Sequence, residues 1–495
     1  MAQFSVSEQD ALDPLIVALD VGSSGTRCAL YDAAGTPVKR RRLKAEHQFT
    51  TRADGEVSID PDQVVAEVRD LLDAVVGKDL VGRIGGVAMD TFAASIVGVD
   101  EKDDAVTTCF TYADSRGAEH VSELREVLDI ERVHERTGAF IHTSYVPARL
   151  RWFRATQGVD PRRIDRWMSL GEYVYLKLLG ETATGTATAA WTGMLDRLSG
   201  EWDESMVAAA GIRVSQLSEI RDPDQPIMHD GPDNDRWPAL KGVAWYPVIA
   251  DGLASNIGPV PPGVSGCVLG ASTSGAMRVF LPKHPTQVPA GLWCYRVDRH
   301  RSLLGGAIND AGRIPAWLSS VLQLPDQETI SQWVSAEPEA ATPLLLPFLT
   351  GERATGWRAD ARAIYTGISA AHGVREIYRG SLEGLTQAYA RVARELFAVH
   401  PAIDSVIATG GMSQGLPAWL TMVADVLGKP VVPATFKRST LRGTALLALE
   451  HAAPDVPRAT PPVGEMVHPR PHVADYYREQ AKEFERIYSA VIRNG

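Results

Sequence analysis

The first feature of the sequence with evident chemical potential is a turn at positions 20–27, Asp-Val-Gly-Ser-Ser-Gly-Thr-Arg. Glycine lets the backbone approach a ligand closely, and successive N–H groups of such a turn can converge on an anion. Asp20 closes the preceding apolar run, where its carboxylate could hold Mg²⁺ directly or through water. The pattern indicates a phosphate-binding turn; a plain hairpin whose glycines serve only the turn is the alternative. The candidate phosphate contacts are Gly22, Ser23, Ser24, Thr26 and Arg27.

A second turn of the same kind lies in the second half of the chain, at positions 271–275, with the sequence Ala-Ser-Thr-Ser-Gly. It also separates two strand-like runs, 267–270 and 276–281. Thr273, Ser274 and Gly275 are its candidate phosphate contacts. The repeat predicts one anion-binding turn in each half of the chain.

The elements that must position these turns alternate between strand-like and helix-like segments. Leu15 to Asp20 and Arg27 to Asp32 flank the first turn, which predicts a hairpin rather than a β-α-β unit. The segments 62–76 and 377–397 have apolar residues at helical spacing and predict helices. A buried strand is predicted at 405–408, entering Gly410-Gly411, and a C-terminal helix at 473–492 follows a proline-rich linker.

Composition and charge exclude several functional classes. The formal net charge is −11, which argues against a nucleic-acid or anionic-membrane partner, because both require a concentrated basic surface. The four cysteines are widely spaced without a CxxC pair, so neither a disulfide framework nor a zinc site is expected. The first residues lack the apolar core of a signal peptide, and no apolar run approaches the ~18 residues of a membrane span. These features predict a cytoplasmic protein.

Two common nucleotide-binding motifs are missing from the sequence. No GxxxxGK[ST] loop occurs, and no GxGxxG opens a helix. If the chain binds ATP, it does so through another architecture.

Several segments, in their order and spacing, resemble the FGGY family of carbohydrate kinases, which belongs to the actin, sugar-kinase and Hsp70 superfamily. Positions 20–27 are similar to the first phosphate motif, DxG[ST][ST]x[ST][RK], and 273–275 to the second. Positions 112–116 (Tyr-Ala-Asp-Ser-Arg) resemble the W-x-D-x-R segment, and 346–353 (LPFLTGER) resemble LPFLxGER. The stretch 251–258 resembles the segment with the catalytic base, and 410–413 the adenosine motif. The resemblance extends from about residue 14 to 490.

The resemblance implies an α/β fold of two actin-like (ribonuclease H-like) domains flanking a deep cleft, with ATP and Mg²⁺ as cofactors. It divides the chain into a sugar-binding domain at 1–245, a nucleotide-binding domain at 246–460, and a C-terminal linker and helix at 461–495. The expected ligand is a small sugar or sugar acid, with neither nucleic acid nor membrane as a partner, and a homodimer is compatible with this organisation.

The resemblance also implies roles for individual residues. Asp251 becomes the general base that takes the proton of the attacking hydroxyl, whereas from its position alone it could be a helix-capping residue. Asp114, Arg116 and His142 become substrate contacts, and Arg116 could hold the carboxylate of an aldonate; alternatively, Asp114 and Arg116 form a surface ion pair. The nucleotide contacts are expected to include Asn309, Gly410, Gly411 and Ser413.

Two details are similar to the gluconokinase branch of the family: Asp251-Gly252 followed by Ser255-Asn256, and the segment 305–309 (Gly-Gly-Ala-Ile-Asn). Gluconate or a related aldonate is therefore the expected substrate. A pentulose or polyol kinase and a non-catalytic member that binds ATP or sugar are the alternatives. Four departures from the family pattern fall near the expected sugar and phosphate contacts: Ala93-Ala94, Tyr112, the stretch 184–190 and Ser272.

Overall fold

The computed structural model describes residues 4–156, 163–228 and 235–493. The strands are β1 (Leu15–Gly22), β2 (Gly25–Tyr31), β3 (Pro37–Ala45), β4 (Thr50–Thr51), β5 (Val57–Ile59), β6 (Ile84–Thr91), β7 (Val97–Val99), β8 (Cys109–Phe110), β9 (Arg166–Met168), β10 (Thr184–Gly185), β11 (Ile220–Arg221), β12 (Ile227–Met228), β13 (Ala244–Trp245), β14 (Ile249–Ala250), β15 (Gly266–Ala271), β16 (Gly275–Leu281), β17 (Trp293–Arg296), β18 (Ser302–Ile308), β19 (Leu344–Leu346), β20 (Ile364–Thr366), β21 (Ser405–Thr409) and β22 (Val431–Pro433).

The helices are α1 (Pro61–Val75), α2 (Ala118–Val127), α3 (Ile130–Thr137), α4 (Val146–Ala155), α5 (Leu170–Leu179), α6 (Thr186–Trp191), α7 (Glu204–Ala209), α8 (Asp251–Ile257), α9 (Arg313–Val321), α10 (Gln327–Ser335), α11 (Val374–Val399), α12 (Gly411–Gly415), α13 (Trp419–Leu427), α14 (Ser439–Ala452) and α15 (Ala474–Tyr488). Among the described residues no helix is long and apolar enough to cross a membrane. The four cysteines are buried and free.

The first half of the chain forms a seven-stranded sheet in the order β12-β13-β6-β1-β2-β3, with β14 also paired to β6. β1 and β2 are the antiparallel hairpin that the sequence predicts, and β6 runs parallel to β1. Side chains of β1 alternate between two buried faces. Leu15, Val17 and Leu19 join the core that contains α1 and α5, whereas Ile16 and Ala18 pack with α14. A continuous apolar strand results because helices cover both faces of the sheet.

The second half repeats this plan in a six-stranded sheet with the order β17-β18-β16-β15-β21-β22. β15 and β16 form the second predicted hairpin, and β21 is parallel to β15. The long helix α11 covers one face, where Leu382, Leu385 and Tyr389 share a core with the strand residue Leu269. The two sheets confirm the predicted α/β class and the predicted repeat of hairpins.

Helix α14 connects the two sheets. Although it follows the strands of the second sheet in the chain, it packs against β1 and β6 of the first sheet, with Ala445 and Leu449 near Ile16 and Ala18. Its small residues let the helix lie close to the sheet. The structure thereby places Thr444 of α14 next to the carboxyl ends of the first sheet's central strands. The boundaries 1–245, 246–460 and 461–495 stay a prediction from the sequence.

Candidate active site

Three aspartates meet at one edge of the first sheet. Asp20 on β1 lies directly opposite Asp90 on the parallel strand β6, and Asp90 in turn is the partner of Ile249 on β14. Asp251 follows β14 immediately and is the first residue of α8. The carboxyl ends of parallel strands share an edge of a sheet, so the three carboxyl groups converge there. Asp90 was missed by the sequence reasoning, and its one local signal is that it ends a strand-like run as Asp20 does.

The electrostatic environment of Asp251 suits a proton acceptor. Burial raises the pKa of Asp251 to about 6, and the negative charge of Asp20 acts in the same direction. The guanidinium of Arg278 opposes this increase in pKa, as do the backbone N–H groups of Gly252 and Ala93 that bond to the carboxylate. A carboxyl group with a pKa near 6 is ionised at neutral pH and more basic than an ordinary aspartate. The side chain is half-buried rather than sealed in the core.

Asp20 and Asp90 form the floor of the site. Nη1 of Arg27 donates to Oδ2 of Asp20 at 2.8 Å, because the two residues are opposite each other in the hairpin. Oγ1 of Thr444 donates to Oδ2 of Asp90, and Oδ1 of Asp90 has no hydrogen-bond partner among the described residues. Burial, followed by the charge of Asp20, raises the pKa of Asp90 well above its ordinary value. The carboxyl group of Asp90 therefore tends to stay protonated.

The first turn places some of its predicted phosphate contacts at the surface and turns others inward. Ser23 and Ser24 are exposed, and Gly22 is half-buried. Thr26 is buried, and its hydroxyl donates to Oε2 of Glu67 at 2.7 Å, away from a ligand on the turn. Arg27, as described, is paired with Asp20. The exposed hydroxyls therefore remain the available donors of this turn.

The second turn is exposed at Ser272, Thr273 and Ser274. A Cβ on Gly275 would lie 1.9 Å from Oη of Tyr389, so only glycine fits at that position. Gly410 has a φ of +97° and an equally crowded environment, because a Cβ there would lie 2.3 Å from the carbonyl oxygen of Ala271. The backbone of the second turn and the start of α12 thus come together at the edge of the second sheet.

A cavity of about 480 Å³ opens beside the second turn. Its walls combine apolar residues such as Pro315, Ile330 and Leu416 with polar ones, and the predicted nucleotide residues Thr273 and Gly411 are among them. The size of the cavity and the glycines in its walls suit a nucleoside. Ser413 does not line this cavity, since it is buried and its hydroxyl donates to the carbonyl of Thr409 within the helix start.

A second, smaller cavity of about 120 Å³ lies between the two halves of the chain. The first half contributes Ala93, Ala94, Tyr112, Ser144, Tyr145 and Trp191. The second half contributes Arg278, Trp293, Tyr295, Ala307, Arg353 and Trp357. The two sets of walls touch directly through the hydroxyls of Tyr145 and Tyr295, whose oxygens are 2.6 Å apart. Arg278 links this cavity to Asp251 through its charge.

The predicted substrate contacts Asp114 and Arg116 do not line this cavity. Nε of Arg116 donates to both carboxylate oxygens of Asp114, Nη2 donates to Oδ2, and the guanidinium lies over the ring of Trp152 at 4.1 Å. Asp114 is only 1% exposed. The pair therefore has the form of a structural ion pair behind the wall, and Arg278 and Arg353, which sequence reasoning did not single out as ligands, face the cavity instead. Arg353 is the last residue of the LPFLTGER segment, and this position was the one feature of the sequence that pointed to it.

His142 and Asn309 do not line the cavity, but each contacts a residue that does. Nδ1 of His142 is 3.0 Å from the hydroxyl of Ser144, and burial lowers the pKa of His142 to about 4, so the ring stays neutral. Oδ1 of Asn309 accepts from Nε of Arg353 at 2.6 Å, and its Nδ2 donates to the carbonyls of Thr350 and Gly351. Asn309 thereby fixes the orientation of Arg353.

Arg149 organises the wall from the first half. It is fully buried, and burial lowers its pKa to about 10. The guanidinium donates to five carbonyl oxygens, which belong to Ala94, Phe110, Thr111, Ser144 and Tyr145. These carbonyls come from the three segments that carry the wall residues 93–94, 112 and 144–145, so one side chain holds the three segments together.

Comparison with known proteins matches two family models to the chain: the N-terminal domain of the FGGY family of carbohydrate kinases at 15–231, and its C-terminal domain at 265–452. The gluconokinase of Bacillus subtilis (strain 168) is 24% identical over 459 residues, covering 88% of this chain and 87% of that protein. The xylulose kinase of Escherichia coli (strain K12) is 22% identical over 435 residues, covering 84% and 85%. The structure of a gluconate kinase from Lactobacillus acidophilus superposes with a TM-score of 0.87 at 22% identity, covering 96% of this chain and 98% of that chain.

These matches confirm the predicted fold of a two-domain sugar kinase. The two models account for most of the chain, and they include both turns, Asp20 and Asp90, and the walls of both cavities, whereas Asp251 lies between the two models. The chain therefore belongs to the FGGY family of carbohydrate kinases and is an ATP-dependent phosphotransferase with an alcohol group as acceptor.

Proposed function

We propose that this kinase transfers the γ-phosphoryl group of ATP to a hydroxyl of a sugar acid, gluconate or a related aldonate, with Asp251 as the general base. The observation that carries the proposal is the position of Asp251. It lies at the end of β14 and next to Asp20, and it interacts with Arg278 of the cavity between the two halves. Its raised pKa of about 6 matches the requirement for a base that is ionised at neutral pH.

In the proposed reaction the acceptor sugar occupies the smaller cavity and ATP occupies the larger one. Asp251 accepts the proton of the sugar hydroxyl while the oxygen of that hydroxyl forms a bond to the γ-phosphorus. The bond between that phosphorus and the β–γ bridging oxygen breaks, and ADP leaves. Phosphate oxygens accept hydrogen bonds from the exposed hydroxyls of Ser23, Ser24, Thr273 and Ser274. Backbone N–H groups of both turns also donate to the phosphates.

Mg²⁺ is part of the proposal, with Asp20 as the residue that would hold it through water. Within the described residues no group of three or more His, Cys, Asp or Glu side chains is arranged to hold a metal ion. This fits Mg²⁺, which is usually bound by one or two carboxylates together with substrate phosphates. When bound, the ion would offset the negative charge of the phosphates. Arg27 keeps the carboxylate of Asp20 in place by its 2.8 Å contact.

The choice of a sugar acid is supported by the relatives and by charge. Gluconokinases are among the relatives that match nearly the whole chain, and both charged side chains of the cavity wall, Arg278 and Arg353, are cationic. A ketose or a polyol is the competing substrate class, since xylulose and glycerol kinases match as well. The homodimer stays a prediction, which light scattering on the purified protein tests.

An ADP-release assay with gluconate, xylulose and glycerol tests the proposal. We expect the highest kcat/KM with gluconate and the loss of at least 99% of turnover in Asp251→Asn, by analogy with the roughly 10²–10⁴-fold contribution of a general base. ATP binding should persist in this variant, because Asp251 does not line the larger cavity. A higher kcat/KM with xylulose or glycerol, or substantial turnover by the variant, would contradict the proposal.

A further inference from the structure

We propose that Arg353 binds the carboxylate of the substrate, and that the acceptor hydroxyl at Asp251 therefore belongs to the part of the sugar remote from the carboxylate. This inference rests on the proposed function and adds an orientation and a specificity residue to it. Two features of the cavity carry it: the hydrogen bonding of Arg353 and the unequal distribution of charge along the wall.

The guanidinium of Arg353 is oriented but not neutralised. Its Nε donates to Asn309 at 2.6 Å, and Asn309 is itself held by two backbone carbonyls. Within the described ranges, the two terminal nitrogens of Arg353 have neither a hydrogen bond nor an ion pair. The neighbouring carboxylate, Asp310, is already engaged by Thr350 and by Arg313 at 2.9 Å. The free edge of a fixed guanidinium is the geometry that binds a carboxylate through two parallel hydrogen bonds.

Arg278 differs from Arg353 in its surroundings. Its Nε is buried without a hydrogen-bond partner in the described part of the chain, and its guanidinium lies 6.0 Å from the centre of the Trp293 ring. The carboxylate that acts on Arg278 is Asp251, the proposed base. Burial lowers the pKa of Arg278, and the positive charge of Arg353 acts in the same direction. Two cations thus line the cavity, whereas the carboxylate that acts on Arg278, Asp251, lies outside its walls.

An anionic group of the substrate would offset the excess of positive charge in the cavity wall. Moving a guanidinium out of water is costly unless a counter-charge and hydrogen bonds offset the loss of hydration. A carboxylate placed against Arg278 would meet the negative charge of Asp251, whereas one placed against Arg353 would not occupy the position of the acceptor hydroxyl. The arrangement therefore favours a substrate that extends from Arg353, past Arg278, to Asp251.

Tryptophan fluorescence provides a direct binding test, because Trp191, Trp293 and Trp357 line the cavity. The test compares gluconate with glucitol, which has the same carbon chain and a neutral CH₂OH in place of the carboxylate. We expect Arg353→Gln to weaken gluconate binding at least about 30-fold and glucitol binding less than about 3-fold. Arg353→Lys keeps the positive charge without the planar guanidinium, so its affinity for gluconate should lie between those of the wild-type enzyme and Arg353→Gln.

Arg358→Gln is the matched control, because Arg358 lies on the same loop, pairs with Asp360 and does not line the cavity. The affinity of Arg358→Gln for gluconate and for glucitol should equal that of the wild-type enzyme. Circular dichroism of each variant checks folding, and the Lys variant keeps the test decisive if Arg353→Gln is misfolded. Equal losses for gluconate and glucitol, an unchanged gluconate affinity in the Arg353 variants, or no gluconate binding by the wild-type enzyme would each overturn the assignment.

The same variants separate this inference from the proposed function. If gluconate binds through Arg353 but ATP and gluconate yield no ADP, the proposed reaction is wrong and the carboxylate site stands. If gluconate is phosphorylated at the wild-type rate by Arg353→Gln, the reaction stands and the carboxylate site is wrong. An equal decrease of kcat for gluconate and glucitol would assign Arg353 to the transferred phosphoryl group instead, and would overturn the inference.

Discussion

Replacing the proposed base should make the protein more stable at neutral pH while it removes activity. Asp251 is ionised in an environment that disfavours its charge, because burial and the nearby carboxylate of Asp20 both raise its pKa. In Asp251→Asn this unfavourable charge is absent. The asparagine oxygen can still accept from the N–H groups of Gly252 and Ala93, so the local hydrogen bonds persist.

The magnitude follows from the difference between the folded and unfolded pKa of Asp251. A rise from 3.8 to about 6 corresponds to about 3 kcal/mol, at about 1.36 kcal/mol for each pKa unit. Because the folded state binds the proton more tightly than the unfolded state, the wild-type protein loses stability as pH rises from about 4 to about 6. Linkage gives a cost of about 1.6 kcal/mol at pH 5 and about 3 kcal/mol at pH 7.5. Asp251→Asn should avoid this cost.

Urea unfolding followed by tryptophan fluorescence at pH 5 and pH 7.5 measures this effect. Asp360→Asn is the control, because Asp360 is exposed, and its pKa is lowered to about 2 chiefly by Arg358. That substitution should not stabilise the protein at either pH. The reasoning is refuted if Asp251→Asn is no more stable than the wild-type protein at pH 7.5, or if its gain is the same at both pH values.

Three further predictions concern activity and the supporting residues. Because Asp251 must be ionised to act as a base, kcat/KM should rise with pH and level off above about 6; a flat profile between pH 5 and 8 would contradict its role. Arg149→Met leaves five carbonyls without their donor and should lower the free energy of unfolding by at least about 3 kcal/mol in urea titrations, with Arg149→Lys retaining part of it. If Arg149→Met has nearly the wild-type free energy of unfolding, water replaces the guanidinium as the donor to these carbonyls. Gly410→Ala forces a side chain into a backbone with φ of +97° and 2.3 Å from the carbonyl of Ala271, so ATP affinity in calorimetry should fall by about 10-fold or more; wild-type affinity would exclude Gly410 from the nucleotide site.

Local patterns were sufficient to predict the two hairpins, whereas Asp251 was singled out by the family resemblance and its role stays a prediction. A glycine-rich turn between two apolar runs leaves few alternatives for the backbone, and β1–β2 and β15–β16 formed as expected. Asp90 could not be found in this way. A single aspartate after a strand carries no functional signal until the parallel register places it opposite Asp20.

The sequence also could not predict which side chains face the cleft. Arg116 and Arg353 are both arginines in family-like segments, but only the folded chain pairs Arg116 with Asp114 and leaves the terminal nitrogens of Arg353 available. Thr26 likewise looks like a phosphate donor in the turn, whereas its rotamer bonds it to Glu67 on α1. The contacts of Thr26 with Glu67 and of Arg353 with Asn309 join residues that are distant in the chain, so no local pattern encodes them. Asp114 and Arg116 are close in the chain, and their ion pair was the alternative that the sequence left open.

The central claim, ATP-dependent phosphorylation of a sugar acid, is tested most directly by a competition experiment. The enzyme is given ATP, Mg²⁺ and equal concentrations of gluconate, xylulose and glycerol, and mass spectrometry identifies the phosphorylated products at low conversion. We expect phosphorylated gluconate to predominate and Asp251→Asn to form at most about 1% of the wild-type amount. Predominance of phosphorylated xylulose or glycerol, or release of inorganic phosphate without a phosphorylated sugar, would contradict it.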